Sequence, residues 1–203
     1  MTVPNHSPPK ERPLGLYEAI QVQQAGWQRR SYDEFYPLVR RLMINALGPN
    51  AEIEDLVGDV FVAFLESATR IRSADGLRSY MVSIAMNTVR RELRRRQRRR
   101  AWFVWEDSDA AGERVASVDD PKAKAALLQL SRILDQLAPD DHMVFVLHMV
   151  EKLPVIEVAE SLNMSVSTVK RRLKRANERV LRRVSRNPLL ADYVLEKSGG
   201  ADV

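Results

Sequence analysis

The chain has 203 residues, 45% apolar and 29% charged, enough for one core or two small ones under a well-solvated surface. It contains no cysteine, which removes disulfides, zinc fingers, iron–sulfur clusters and thiol nucleophiles. A net charge of only +5 hides a strong segregation: residues 90–100 hold eight arginines and one acid, residues 106–120 six acids and one base, and residues 170–186 nine bases and one acid. Two basic blocks flanking an acidic one imply two separate contacts with a polyanion. No uninterrupted apolar run approaches the ~18–20 residues of a membrane span. The opening MTVPNHSPPKERPLG lacks the apolar core of a secretory signal, so a cytoplasmic location is the expectation.

In chain order, residues 1–30 read as an N-terminal extension. Prolines at 4, 8, 9 and 13 mark a flexible arm, and a short helix is expected over Leu16–Gln28. Residues 31–100 read as one helical domain. Tyr32, Phe35, Tyr36, Val39, Leu42 and Met43 recur at helical spacing over Tyr32–Leu47, with Ser31 as the expected N-cap and Gly48-Pro49-Asn50 as the break. Leu56, Val57, Val60, Phe61, Phe64 and Leu65 mark a second helix from Ile53 to about Glu66. Ser67–Gly76 is polar and reads as a loop. Leu77, Met81, Ile84 and Ala85 start a third helix, Leu77–Arg96, that fades into solid arginine.

Residues 101–124 lose this periodicity and read as a flexible linker, with aromatics Trp102, Phe103 and Trp105 and then the acids. Residues 125–186 form a second helical domain in four pieces. Leu127 to Leu137 marks the first, Pro139 suits the first turn of the second, and Val155–Leu162 is a short third. The fourth runs from Val166 to about Arg186, with Val166, Val169, Leu173, Ala176, Val180 and Val184 in register. Residues 187–203 are a tail, read equally as a capping helix or a partner-binding extension. No alternation of the strand type occurs, so the expected fold is all-α: two small helical domains on a linker.

The sharpest motif is VIEVAESLNMSVSTVKRRLKRA, residues 155–176. A short helix with small Ala159 at the crossing meets a three-residue turn and then a longer helix with a basic outer face. Ser165 is placed to cap that helix, and Asn163 tolerates the left-handed backbone the turn needs. This is a helix-turn-helix, whose second helix enters the major groove. Ser165, Ser167, Thr168, Lys170, Arg171, Arg172, Lys174 and Arg175 are the candidate DNA contacts. Because successive residues turn by about 100°, Lys170, Arg171, Lys174 and Arg175 are expected to project outward, with Arg172 to the side. Arginine can take guanine bidentately, while lysine and hydroxyls more often hold phosphates.

EIEDLVGDVFVAFLE, residues 52–66, followed by LRSYMVSIAMNTVRRELRRRQRR, residues 77–99, resembles region 2 of the sigma-70 family of bacterial transcription initiation factors. Residues 127–184 resemble region 4. With no intervening domain, the layout is similar to the extracytoplasmic-function (ECF) group. The resemblance implies a subunit that binds core RNA polymerase through the β′ clamp helices and the β flap and directs it to promoter DNA. Glu52, Glu54, Asp55 and Asp59 then match the clamp-binding helix, with Gly58 where the family usually has a longer polar residue. Asn87 matches a position near the captured minus-ten base, loop Ser67–Gly76 its pocket, and Arg90, Arg91, Arg94 and Arg95 the melting surface for single-stranded backbone. Arg96–Arg100 reads equally as part of that surface or as a nonspecific polyanion patch. Leu77 and Tyr80, where the family more often has Phe and Trp, read as packing.

Two further consequences come with the resemblance. The linker acids Glu106, Asp107, Asp109, Asp119 and Asp120 read either as a mimic of RNA charge within polymerase or as a solvated spacer. An anti-sigma factor is an expected partner, and neither a cofactor nor an obligate homo-oligomer is expected. A stand-alone helix-turn-helix regulator is the alternative; it predicts tight binding to duplex DNA alone at a palindromic site. An enzyme is disfavoured: His6, His142 and His148 have no ligand spacing, and no glycine-rich phosphate loop occurs. His142 and His148 read as partly buried helix residues.

Overall fold

A computed structural model describes residues 14–102, 121–187 and Leu190, without the side chains of 100–102, 121–124, 126 and 127. The proline-rich arm, the five linker acids with Phe103 and Trp105, and the tail apart from Asn187 and Leu190 lie outside the described residues. Everything regular among the described residues is helical.

Helix α1 (Leu16–Gln21) buries Leu16, Ala19 and Ile20 and is joined by a tight turn to α2 (Trp27–Leu47). The expected cap at Ser31 is displaced. Gly26, in the left-handed region at φ 84°, starts α2 five residues earlier, and buried Trp27 anchors that first turn. Ser31 is instead buried inside the helix and donates its hydroxyl to the Trp27 carbonyl at 2.9 Å. A serine can serve either place, since its hydroxyl competes for backbone at a cap or bonds back one turn. Gly48 ends α2 at φ 71°, and a Cβ there would lie 2.9 Å from Ser131 Oγ. Close approach of another helix, as well as backbone conformation, requires glycine.

Helix α3 (Ile53–Ser67) packs on α2 through Val57, Val60, Phe61 and Phe64. The expected loop 67–76 begins as a 3₁₀ turn, Ala68–Arg70, because Ala68 and Ile71 are buried. Gln21 Nε2 donates to the Ile71 carbonyl at 3.2 Å, tying the N-terminal extension to this loop. Helix α4 (Gly76–Trp102) is six residues longer at its C-terminal end than its apolar periodicity indicates. Arginine is a good helix former, so the arginine run continues the helix instead of ending it. Leu77 is buried and Tyr80 packs partly buried on the core, as expected.

The second half comprises α5 (Pro121–Leu134), α6 (Pro139–Phe145) continued by a wider π turn over Val146–Val150, α7 (Val155–Leu162) and α8 (Val166–Val184). Proline at the first position of α6 costs nothing, because that N–H has no helical acceptor. The halves are not held apart. Helix α4 packs against α6 and α7, and the buried apolar residues of both halves form one continuous cluster.

Polar contacts pin this seam. Gln97 Nε2 donates to the Leu137 carbonyl at 3.0 Å. Arg41 Nε and Asn45 Nδ2 both donate to the Glu151 carboxylate, at 3.0 and 2.6 Å. Arg96, held within the first half by the Leu47 carbonyl at 2.8 Å, reaches across to Asp135 at 3.7 Å.

Candidate nucleic-acid interface

Helices α7 and α8 meet at the turn Asn163-Met164-Ser165. Asn163 adopts φ 51°, ψ 51°, and the Met164 N–H donates to the Ala159 carbonyl at 2.9 Å. This left-handed C-cap reverses the chain in three residues. Ser165 caps α8: its Oγ accepts the Thr168 N–H at 3.2 Å, donates to Thr168 Oγ1 at 2.9 Å and lies 3.0 Å from Ser167 Oγ. Val169, Ala176 and Val180 are buried, and Ala159 lies 5% exposed where the helices cross. Ser167, Lys170, Arg171 and Lys174 stand exposed on the opposite face, and Thr168 is half-buried beside the cap. A hydroxyl-bearing first turn followed by three cations unpaired among the described residues is the surface that a groove-entering helix presents.

The flank of α8 adds to the expectation. Arg175 is exposed, as expected, but its guanidinium is engaged: it donates Nε and Nη2 to the Asp141 carboxylate at 2.7 and 2.6 Å. Arg172 joins it, giving Nη1 to Asp141 at 3.0 Å and Nη2 to Asp140 at 3.0 Å. Asp141 is fully buried. Burial raises its carboxyl, but the bonds from Arg175 and Arg172 outweigh burial and hold it below the usual carboxylate range. The wheel angle of Arg175 does point outward; its side chain is long enough to curl along the helix to a partner on α6.

On the first half, the candidate acids and arginines lie together and partly answer one another. Glu52 pairs with Arg95, and Asp59 accepts from Arg91 Nη2 at 2.8 Å. Glu54 accepts from Arg40 Nε at 2.8 Å and Tyr36 Oη at 3.0 Å. The Arg40 bond, opposed by partial burial, holds the Glu54 carboxyl below its ordinary value. Of the four acids, Asp55 alone makes no ion pair among the described residues. Asn87 is exposed and accepts from Arg90 Nη1 at 3.0 Å, while Arg90 Nε donates to Asp140 across the seam at 3.1 Å. Arg94 is exposed and unpaired among the described residues. These pairs are exposed or half-exposed and screened by salt, so each is worth about 0–1 kcal/mol and yields readily to a polyanion.

Three residues that matter here escaped sequence reasoning. Glu92, buried within the arginine run, accepts from Arg95 and from Arg96 Nε at 3.0 Å. Burial opposes its ionisation, but the Arg95 and Arg96 bonds prevail and lower its pKa. Its signal was legible: one acid among eight arginines, three and four residues before Arg95 and Arg96. Asp141 gave no such signal, since its partners lie more than 30 residues away. His142 is completely buried, where partial burial was expected, and lies at the seam near Ala46, Leu134, Asp135 and Arg96. His148, as expected, is partly buried, with Nδ1 2.8 Å from the Leu153 carbonyl. No cluster of His, Asp and Glu able to hold a metal occurs among the described residues, and none of their helices is long and apolar enough to cross a membrane.

Comparison with known proteins places this geometry. The family described as "Sigma-70 region 2" matches residues 31–99, and "Sigma-70, region 4" matches residues 127–180. "Probable ECF RNA polymerase sigma factor SigI" of Mycobacterium tuberculosis is 25% identical over 147 residues, 68% of this chain and 49% of the relative. The chain thus spans about half the length of that relative. "ECF RNA polymerase sigma factor SigX" of Bacillus subtilis is 23% identical over 143 residues, covering 68% of this chain and 74% of SigX.

Two solved structures share the fold. CnrH, in complex with the cytosolic domain of CnrY, superposes with a TM-score of 0.61 at 18% identity, covering 85% of this chain and 96% of CnrH. RpoE of Bartonella quintana, in complex with the anti-sigma factor NepR, gives 0.55 at 19% identity, covering 77% and 95%. The matches to regions 2 and 4 together take in more than half of the chain, in the order and spacing of the two helical units described above, and the chain belongs to the sigma-70 family of RNA polymerase sigma factors.

Proposed function

We propose that this chain is an ECF-type sigma factor that binds bacterial core RNA polymerase and directs promoter-specific initiation, with no bond-making chemistry of its own. The observation that carries this reading is the pairing of a capped helix-turn-helix, with Ser167, Lys170, Arg171 and Lys174 exposed on α8, with a region 2 helix whose Asn87 and Arg94 remain exposed. In this reading α8 takes the minus-thirty-five element as duplex, and Asn87 with Arg90, Arg91, Arg94 and Arg95 takes the minus-ten element as it opens. Asp55 leads the contact with the β′ clamp helices, because it has no ion-pair partner to give up among the described residues; Glu52, Glu54 and Asp59 exchange theirs. Region 4 meets the β flap. The protein acts in the cytoplasm, where polymerase and promoter are.

An anti-sigma partner fits the same reading. Both structural relatives were solved as complexes, one with an anti-sigma factor and one with the cytosolic domain of CnrY. The packed arrangement also constrains the mechanism. Asp140 accepts from both Arg90 on α4 and Arg172 on α8, so the two reading helices stand one carboxylate apart. Two elements whose names place them about 25 base pairs apart are separated by roughly 85 Å at 3.4 Å per base pair. The seam must part before both are held.

The test is promoter opening by the reconstituted holoenzyme, followed with a fluorescent base analogue in the minus-ten element. Asn87→Ala is expected to retain core binding and lose opening. Loss of core binding together with opening contradicts the assignment of Asn87.

A further inference from the structure

The structure assigns to Asp141 a role beyond packing: we infer that it is the positioning residue of the recognition helix, and that Arg175 serves it as an anchor and is withdrawn from base reading. This rests on the reading of α8 as the minus-thirty-five helix. Asp141 lies in the first turn of α6, fully buried, and accepts three hydrogen bonds from two guanidinium groups one turn apart on α8. The Arg175 grip is bidentate, which fixes direction as well as distance.

A buried carboxylate left without partners is costly, so α8 is held in the one rotation and axial position that satisfies it. The core stripe of Val169, Ala176 and Val180 is apolar, and apolar burial by itself has no directional preference. The Asp141 grip has one. Base contacts require placement to within the length tolerance of a hydrogen bond, so this anchor sets where Ser167, Thr168, Lys170, Arg171 and Lys174 meet the groove. The first turn of α6 gives Asp141 a second reason to be acidic, because a carboxylate there faces the positive end of the helix dipole.

The consequence is a division of labour along α8. Lys170, Arg171 and Lys174 are exposed and unpaired among the described residues, and they are the cations free to read or hold DNA. Arg172 and Arg175 position them. If Arg175 acts through Asp141, removing both groups does no more harm than removing Asp141 alone. If Arg175 instead reads a base, the two losses add.

The experiment uses holoenzyme reconstituted from core polymerase and the full chain, on promoter libraries randomised in the upstream element and, separately, in the downstream element. Asp141→Asn preserves shape and removes the charge. It is expected to flatten discrimination in the upstream element by about tenfold, as for one misplaced bidentate contact, while downstream discrimination and core binding stay at wild-type values. Asp141→Glu, which keeps the charge, restores part of the upstream discrimination.

Arg175→Ala, a change at a partly exposed side chain, is the variant to use if Asp141→Asn does not fold. It is expected to flatten all upstream positions together, and the double variant with Asp141→Ala loses no more than Asp141→Ala alone, because Asp141 also holds Arg172. Two results overturn the inference: an Asp141→Asn protein that loses activity uniformly on both libraries without changed preference, or an Arg175→Ala protein that loses preference at a single base with additive double-mutant losses. Wild-type protein that yields no promoter-dependent starts with core polymerase refutes the sigma reading itself and is scored separately.

Discussion

Acid should weaken this protein through one residue, His142. Its ring is completely buried between the halves, and among the described residues neither ring nitrogen has a well-formed hydrogen bond. Burial is the largest influence and pushes its pKa from 6.5 down to about 4; Asp135 and the backbone of Ala46 and Leu134 oppose burial only in part, and Arg96 reinforces it. The unfolded chain therefore takes up a proton near pH 6.5 that the folded chain refuses until about pH 4. The stability is present in full above pH 6.5 and drains away as the pH falls to 4. The whole shift corresponds to about 3 kcal/mol, and about 2 kcal/mol of it is lost by pH 5.

Urea unfolding followed by circular dichroism at pH 7.5 and pH 5.0 measures this directly, on wild type and on His142→Leu. Wild type should lose about 2 kcal/mol between the two conditions. The leucine variant has nothing to titrate there and should lose about 0.5 kcal/mol or less. Carboxylates held low by arginines, such as Asp141 and Glu92, give up their contribution only at more acid pH. An equal acid loss in both proteins would refute the reasoning, as would a wild type indifferent to pH over this range.

Other expectations are simpler. Ser165→Ala removes the acceptor of the Thr168 N–H and should cost about 1 kcal/mol in thermal or urea unfolding. Gly58→Ala should stabilise by about 0.5–1 kcal/mol, because Gly58 sits inside α3 and a Cβ added there would meet nothing within 4 Å; a destabilised variant contradicts the open surface described for that position. Fluorophores placed on α3 and α8 should show high energy transfer in the free protein and a marked fall on promoter-bound holoenzyme. Unchanged transfer would mean that the seam survives initiation.

The helix-turn-helix was legible because every signal in it is local. Val155–Leu162, the turn at Asn163 and the cap at Ser165 depend on neighbours within four residues, and all three stand where periodicity and capping rules put them. Ser31 is misleading because a serine before an apolar run is ambiguous, and the true start depends on Gly26 and on the burial of Trp27. Periodicity gives too short an α4 because it ends where arginine propensity takes over. Arg175, Asp141 and His142 were illegible for a common reason: each is defined by residues on another helix, bonded to the first two and burying the third, and a helical wheel describes only the helix that carries the residue. The seam belongs to the same class, since stripes that bury against their own domain and against the other half look alike in sequence.

The most direct measurement is reconstitution with bacterial core RNA polymerase on fragmented genomic DNA, with the starts of run-off transcripts sequenced. A sigma factor yields stable core binding and new discrete starts that share two upstream motifs, spaced for α4 and α8 on separated domains. Tight binding of the protein alone to duplex DNA, with neither core binding nor new starts, would contradict it and leave a helix-turn-helix regulator in its place.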